Sequence, residues 1–227
     1  MTRVVLAGGR ELDAGTAAGR ALDGCGSVAV VTLAAAYRRP DALVARIGAW
    51  AAELSVEPTV VRAVRRSDSL DPAVAEPIAG CDGVLVLDGS PAHFVGAAKA
   101  TPLLEAIVEA HRRGADVVWS GATAAAVCTS MVDDRGGALT VGLGLYGGIV
   151  VAAGWETWPR DRRRRLQGMV GDSALFMALP SGAAVQSTAS PQELASSSRP
   201  EDWTVLGGTV EARQGGSPVT LATPSGV

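Results

Sequence analysis

The sequence is short of several residue types, and each shortage narrows what the chain can be. It has only three cysteines, Cys25, Cys81 and Cys128, far apart and odd in number. No Cys-x-x-Cys or Cys/His spacing marks a zinc site, and no disulfide framework is implied, so nothing calls for a metal or a cofactor. Histidine occurs twice, at His93 and His111, which makes any search for a catalytic base short. Charge of one sign is not in excess: the formal net charge is −3, which gives no reason to expect a nucleic-acid partner. The one dense basic run, Arg160 to Arg165 interrupted by Asp161, has the pattern of a solvated helix face. No apolar stretch approaches the roughly 18 residues of a membrane span. The start "MTRVVLAGG" lacks the apolar core of a secretion signal. These absences predict a soluble cytoplasmic protein with reduced thiols and no membrane partner.

What is present is globular. The 227 residues are 48% hydrophobic with 28 glycines, a composition far from that of disordered chains. A domain of this size buries roughly 70–75% of its unfolded surface and needs no covalent staple. With no internal repeat and no clear linker, residues 1–227 are expected to form one domain.

Five short Val-rich runs, at 3–7, 27–34, 59–64, 83–89 and 116–121, are flanked by Gly or Asp and read as buried parallel strands. Helical patterns lie between them. Residues 40–54 open on Pro40 and Asp41 and set Leu43, Ile47, Trp50 and Leu54 on one face. Residues 101–114 open on Thr101 as N-cap and Pro102, and close on basic residues and Gly114. Strands alternating with helices at this spacing predict a three-layer αβα, doubly wound, mostly parallel sheet of flavodoxin-like type. The second half changes character. A Gly-rich stretch (136–154) is expected to carry one or two strands, and residues 174–186 to form a hairpin turning at "PSG". A polar loop spans 188–202, and the tail reads as short strands, which gives the α/β core a β-rich C-terminal part.

The order of several stretches then becomes informative: "LAGG" ending the first strand, "DGVLVLDGSPAHF", "TPLLEAIVEAHRRGADVVWSGATAAAV", and "GLGLYGGIVVAAGW" followed by the basic run. In this order and spacing the chain resembles the cyanophycinase and aspartyl dipeptidase family of serine peptidases. The resemblance covers most of the chain to about residue 186 and implies a class I glutamine amidotransferase-like fold. It also implies hydrolysis by a serine in a Gly-x-Ser-x-Gly strand-to-helix turn, with a base and backbone N–H groups that stabilise the oxyanion.

Set on that pattern, the preferred register aligns Gly121-Ala122-Thr123-Ala124-Ala125 with the turn, so that Thr123 takes the nucleophile position. Without a gap Gly121 takes it, and with the gap elsewhere Ser120 does. Where the family carries Asp-x-His-Phe this chain reads Ala152-Ala153-Gly154-Trp155, so the base position is Gly154. The acid position falls on Ser181. In the family's Gly-Gly-Asp-Gln loop the chain reads Asp88-Gly89-Ser90-Pro91, and Pro91 removes one N–H donor. Serine context, histidine and acid are all altered. The resemblance therefore implies a non-catalytic member that binds a small molecule, a peptide or a protein partner, with a homodimer suggested by the family.

Two further readings remain open. Thr123 could attack a carbonyl with His93 as base, since His93 follows a loop at the C-terminal edge of a strand, where ligands bind in open α/β sheets. The simpler role for Thr123 is to cap the helix after it, its hydroxyl accepting an N–H. An amidotransferase-like enzyme using Cys128 is disfavoured, because Cys128 is expected inside that helix, packed and inert. His111 is expected at a solvated helix end. The crevice is expected to involve Gly8, Gly9, Gly89, Ser90, Ser120, Gly121 and Trp155.

Overall fold

The computed structural model describes residues 2–133 and 137–223. In chain order the elements are β1 (Val4–Ala7), β2 (Ser27–Val31), α1 (Pro40–Leu54), β3 (Glu57–Val61), α2 (Arg66–Ser69), α3 (Pro72–Ala75), β4 (Gly83–Val86), α4 (Pro91–Ala98), α5 (Pro102–Arg112), β5 (Asp116–Ser120) and α6 (Ala122–Ala126). The second half adds β6 (Ser130–Val132), β7 (Leu139–Val141), β8 (Ile149–Ala153), α7 (Arg160–Met169), β9 (Leu175–Leu179), β10 (Ala184–Ser187), α8 (Pro191–Ser196), β11 (Thr204–Gly207), β12 (Glu211–Gln214) and β13 (Ser217–Val219).

The main sheet has the order β11-β10-β1-β5-β4-β2-β3. Its pairs from β1 to β3 are all parallel, and β10 joins β1 antiparallel. Side chains alternate across it. Val4, Leu6, Val84, Val86, Val117 and Trp119 enter a core shared with α4, α5 and α6. Val5, Ala7, Leu85 and Val118 enter a second core, closed by Leu43, Ile47 and Trp50 of α1. Both faces are thus covered, which is why the strands read as continuous apolar runs rather than as alternating ones. Trp50 is fully buried and its Nε1–H donates to the Gly19 carbonyl at 2.7 Å. Truncating a buried ring of this size typically costs about 3–5 kcal/mol.

Helix α1 begins and ends where its sequence places it, with Pro40 in the first turn and Ser55 left-handed at φ 57° as its C-cap. Helix α5 is capped by Thr101, whose Oγ1 accepts the Leu104 N–H. The third strand is displaced from the expected 59–64 to Glu57–Val61, because β3 is an edge strand that pairs only with β2 and so tolerates Pro58.

The expected hairpin at 174–186 does not form. Strands β9 and β10 lie in different sheets: β9 pairs with β8 and β12, whereas β10 pairs with β1 and β11. The "PSG" turn therefore carries the chain from one sheet to the other, and two backbone bonds, Gly8 N–H to Ala183 O and Gly182 N–H to Gly9 O, hold it against the end of β1. The second sheet, β13-β12-β9-β8, is the β-rich C-terminal part. One of its faces shares the core of α4 to α6, and the other is covered by Trp155 and by Leu166 of α7. No helix among the described residues is long and apolar enough to cross a membrane.

Candidate functional site

The C-terminal ends of β1, β4 and β5 converge on a cavity of about 400 Å³. Its chemistry is set by the turn from β5 into α6. Gly121 occupies that turn with φ 57° and ψ −126°, a conformation open in practice only to glycine. This is the sharp strand-to-helix geometry that displays a nucleophile, with the next N–H free to serve an oxyanion. Here the residue has no side chain, and the next N–H, that of Ala122, donates to Asp88 Oδ1 at 2.8 Å.

Asp88 fills the space that a side chain on Gly121 would need. A Cβ built on Gly121 would lie 2.1 Å from Asp88 Cγ and Oδ1 and 2.7 Å from its Cβ. The carboxylate is held from several sides. Its Oδ2 lies 3.7 Å from the Arg38 guanidinium, and the Asp88 N–H donates to Glu11 Oε1 at 3.1 Å. Glu11 is 3% exposed, and its Oε2 accepts the Ser120 hydroxyl at 2.8 Å. Burial pushes the Asp88 carboxyl above the ordinary aspartate range and the Glu11 charge adds to the rise, against the Ala122 and Gly89 N–H groups and Arg38.

The residues singled out from the sequence fall as follows. Thr123 does not sit at the elbow; it is two residues further on, inside α6 and fully buried. Its hydroxyl donates to the Ser120 carbonyl at 2.7 Å and lies 3.4 Å from the Val86 carbonyl. It is therefore not the expected cap either, since a cap accepts an N–H and this hydroxyl donates; Gly121 is the N-cap residue. His93 turns away from Thr123. Its Nε2–H donates to the Val64 carbonyl at 2.8 Å, and its Nδ1 lies 3.5 Å from the Tyr37 hydroxyl.

Gly8, Gly9 and Gly121 line the cavity, as do Gly154 and Ser181. Ser120 and Trp155 are buried beside it rather than facing it. Ser90 caps α4 by accepting the His93 N–H, and Gly89 lets the chain pass the Ala34 carbonyl, which a Cβ would approach to 1.9 Å. The Gly154 N–H donates to the Gly8 carbonyl, and the Ser181 N–H donates to Glu156 Oε2 at 3.0 Å. Burial raises the Glu156 carboxyl, but its hydrogen bonds from Ser181 and the charge of Arg163 outweigh this and hold it below its ordinary value.

Cys128 lies just beyond α6 rather than within it, and burial pushes its thiol up to about 12. His111 is buried, not solvated: its Nδ1 lies 3.3 Å from the Ala115 carbonyl, and burial lowers its proton affinity despite that bond and the nearby Asp116.

Glu11 has no signature in the sequence, because a single acid after "GGR" carries no signal of burial. Asp88 stands out in the sequence only as part of the loop Asp88-Gly89-Ser90-Pro91. Trp158 and Arg162 also line the cavity, with the guanidinium carbon 3.7 Å from the ring centroid; in the sequence Arg162 belongs only to the basic run. Among the described residues no group of three or more His, Cys, Asp or Glu gathers.

Comparison with protein-family models and with curated proteins gives no match. Solved structures do match. A peptidase from an acI-B1 Actinobacterium superposes with a TM-score of 0.79 at 16% identity, over 99% of this chain and 96% of that one. A putative peptidase E protein from Listeria monocytogenes EGD-e superposes with a TM-score of 0.57 at 12% identity, over 82% of this chain and 94% of that one. The chain therefore has a peptidase-like α/β fold.

Proposed function

We propose that this protein is a non-catalytic relative of the cyanophycinase and peptidase E serine peptidases, one cytoplasmic domain whose crevice binds a small molecule or peptide, or whose surface binds a protein partner, rather than cleaving a peptide bond. The observation that carries this reading is the pair Gly121 and Asp88. The elbow backbone is retained, its residue has no side chain, and a carboxylate occupies both the nucleophile's space and the Ala122 N–H that an oxyanion would need. A negative charge at that point opposes the charge that develops in acyl transfer, whereas catalysis requires donors aimed there. The base and acid positions, Gly154 and Ser181, bring no imidazole and no carboxylate of their own. The alternative, a hydrolase using Thr123, has less support, because its hydroxyl is buried and donates to carbonyl oxygens, and His93 is engaged elsewhere.

The test is a panel of aspartyl dipeptides and acyl amides incubated with the purified protein. No turnover above an Asp88→Asn control is expected. Turnover that disappears on Thr123→Ala would overturn the proposal and establish the alternative.

A further inference from the structure

Beside the crevice, the same edge of the main sheet carries a surface that its chemistry leaves unused. The segments leaving β2 and β3 run together, joined by the Thr32 hydroxyl, which lies 3.3 Å from the carbonyls of Val61 and Ala63. They end in "YRRP" at 37–40 and "RAVRRS" at 62–67. The Tyr37 ring packs edge-on against His93 at 5.2 Å between centroids, and His93 in turn holds the Val64 carbonyl. Tyr37 is 81% exposed, and Val64 beside it is exposed as well.

Arginines stand within two residues of both side chains along the chain. Arg39 and Arg62 are exposed and form no ion pair among the described residues. Arg65 meets Asp68 at 3.4 Å, Arg66 donates to the carbonyls of Gly96 and Lys99, and Arg38 reaches back to Asp88. These five arginines lie within two short segments of a chain whose net charge is −3.

We propose that this surface, centred on Tyr37 and Val64 and flanked by Arg39, Arg62 and Arg65, docks an acidic peptide segment of a partner protein. An exposed aromatic ring among arginines is the composition of an interface centre. His93 fixes it in place: with one ring nitrogen on Val64 and the other towards Tyr37, little ordering remains to be done on binding. Complementary charge specifies the occupant as acidic. A second copy of this chain would bring arginine against arginine across a two-fold axis. A nucleic-acid strand would have one exposed ring to stack on, against the aromatic series that such grooves use. The surface does not depend on whether the crevice is catalytic.

The test is fluorescence anisotropy with a short labelled peptide of Glu and Asp around a central Leu, beside its Gln/Asn counterpart and an oligothymidylate. The acidic peptide should bind saturably, the neutral one should not, and affinity should fall as salt is raised. Tyr37→Ala, and separately Arg39→Glu with Arg62→Glu, should each weaken binding by about tenfold or more. Reversing Arg160 and Arg164 on α7 should leave it unchanged. Thermal melting confirms that each variant is folded, and Arg39→Gln with Arg62→Gln replaces the double reversal if that variant is not. Absence of saturable binding, equal loss in the α7 variant, or tighter binding of oligothymidylate that vanishes in the same variants would each overturn the proposal.

Discussion

Replacing Gly121 by alanine adds one methyl group at the point where the account is most exposed to refutation. Two costs follow from the geometry. The backbone at φ 57° and ψ −126° is strained for any residue with a Cβ, which costs about 1–3 kcal/mol. The new Cβ would also lie 2.1 Å from Asp88 Cγ and 2.7 Å from Asp88 Cβ. A rotamer change moves the first atom but not the second, so the backbone must shift, at about 1–3 kcal/mol for overpacking. Gly121→Ala should therefore lose about 2–6 kcal/mol in urea unfolding. The two costs are separable. Asp88→Gly removes every overlapping atom but leaves the backbone strain, so the double variant should recover about 1–3 kcal/mol relative to the sum of the single changes. A Gly121→Ala protein within about 0.5 kcal/mol of wild type, or a double variant with no coupling, would refute the placement of Asp88 in the nucleophile's space.

Other outcomes follow from the same site. Asp88 has its carboxyl raised by burial, so the folded state holds the proton more tightly than the unfolded one, and its ionisation weakens the fold as pH rises above the ordinary aspartate value. Asp88→Asn, which keeps an acceptor for Ala122, should therefore gain melting temperature relative to wild type as pH goes from about 3.5 to 7, and a gap that is flat with pH would contradict this. Thr123→Val should cost about 0.5–1.5 kcal/mol, the worth of the bond to Ser120, and leave any ligand affinity of the crevice unaltered; a loss of affinity would give Thr123 a direct role. Cys128, buried and with its thiol pushed up to about 12, should not react with a thiol-selective disulfide reagent at pH 8 until the protein unfolds; rapid reaction in the native state would show that the end of α6 opens.

Much of the scaffold was legible because its signals are local. Pro40 and Asp41 start a helix, Thr101 caps one, and Val-rich runs bounded by Gly mark strands buried on both faces. What failed depends on tertiary pairing. Nothing in "ALFMALPSGAAVQ" says that its two strands join different sheets, because a hairpin and a crossover between sheets use the same turn residues. His111 carries the polarity of a solvated helix end, yet it packs against the turn at Ala115. At the site, the positive-φ turn falls on Gly121, whereas the family's Gly-x-Ser-x-Gly pattern favours a register on Thr123. The need for positive φ, which a β-branched residue meets poorly, pointed the other way. The inward turn of Asp88 and the burial of Glu11 have no local signature, since each depends on strands far apart in sequence.

The central claim is that the elbow holds no nucleophile, and intact-mass spectrometry tests it most directly. The native protein is incubated with a fluorophosphonate, which adds covalently to activated serine and threonine hydroxyls in peptidase sites. The account predicts an unchanged mass after prolonged exposure, in wild type and in Asp88→Asn alike. A stoichiometric adduct mapping to residues 119–128 would contradict it.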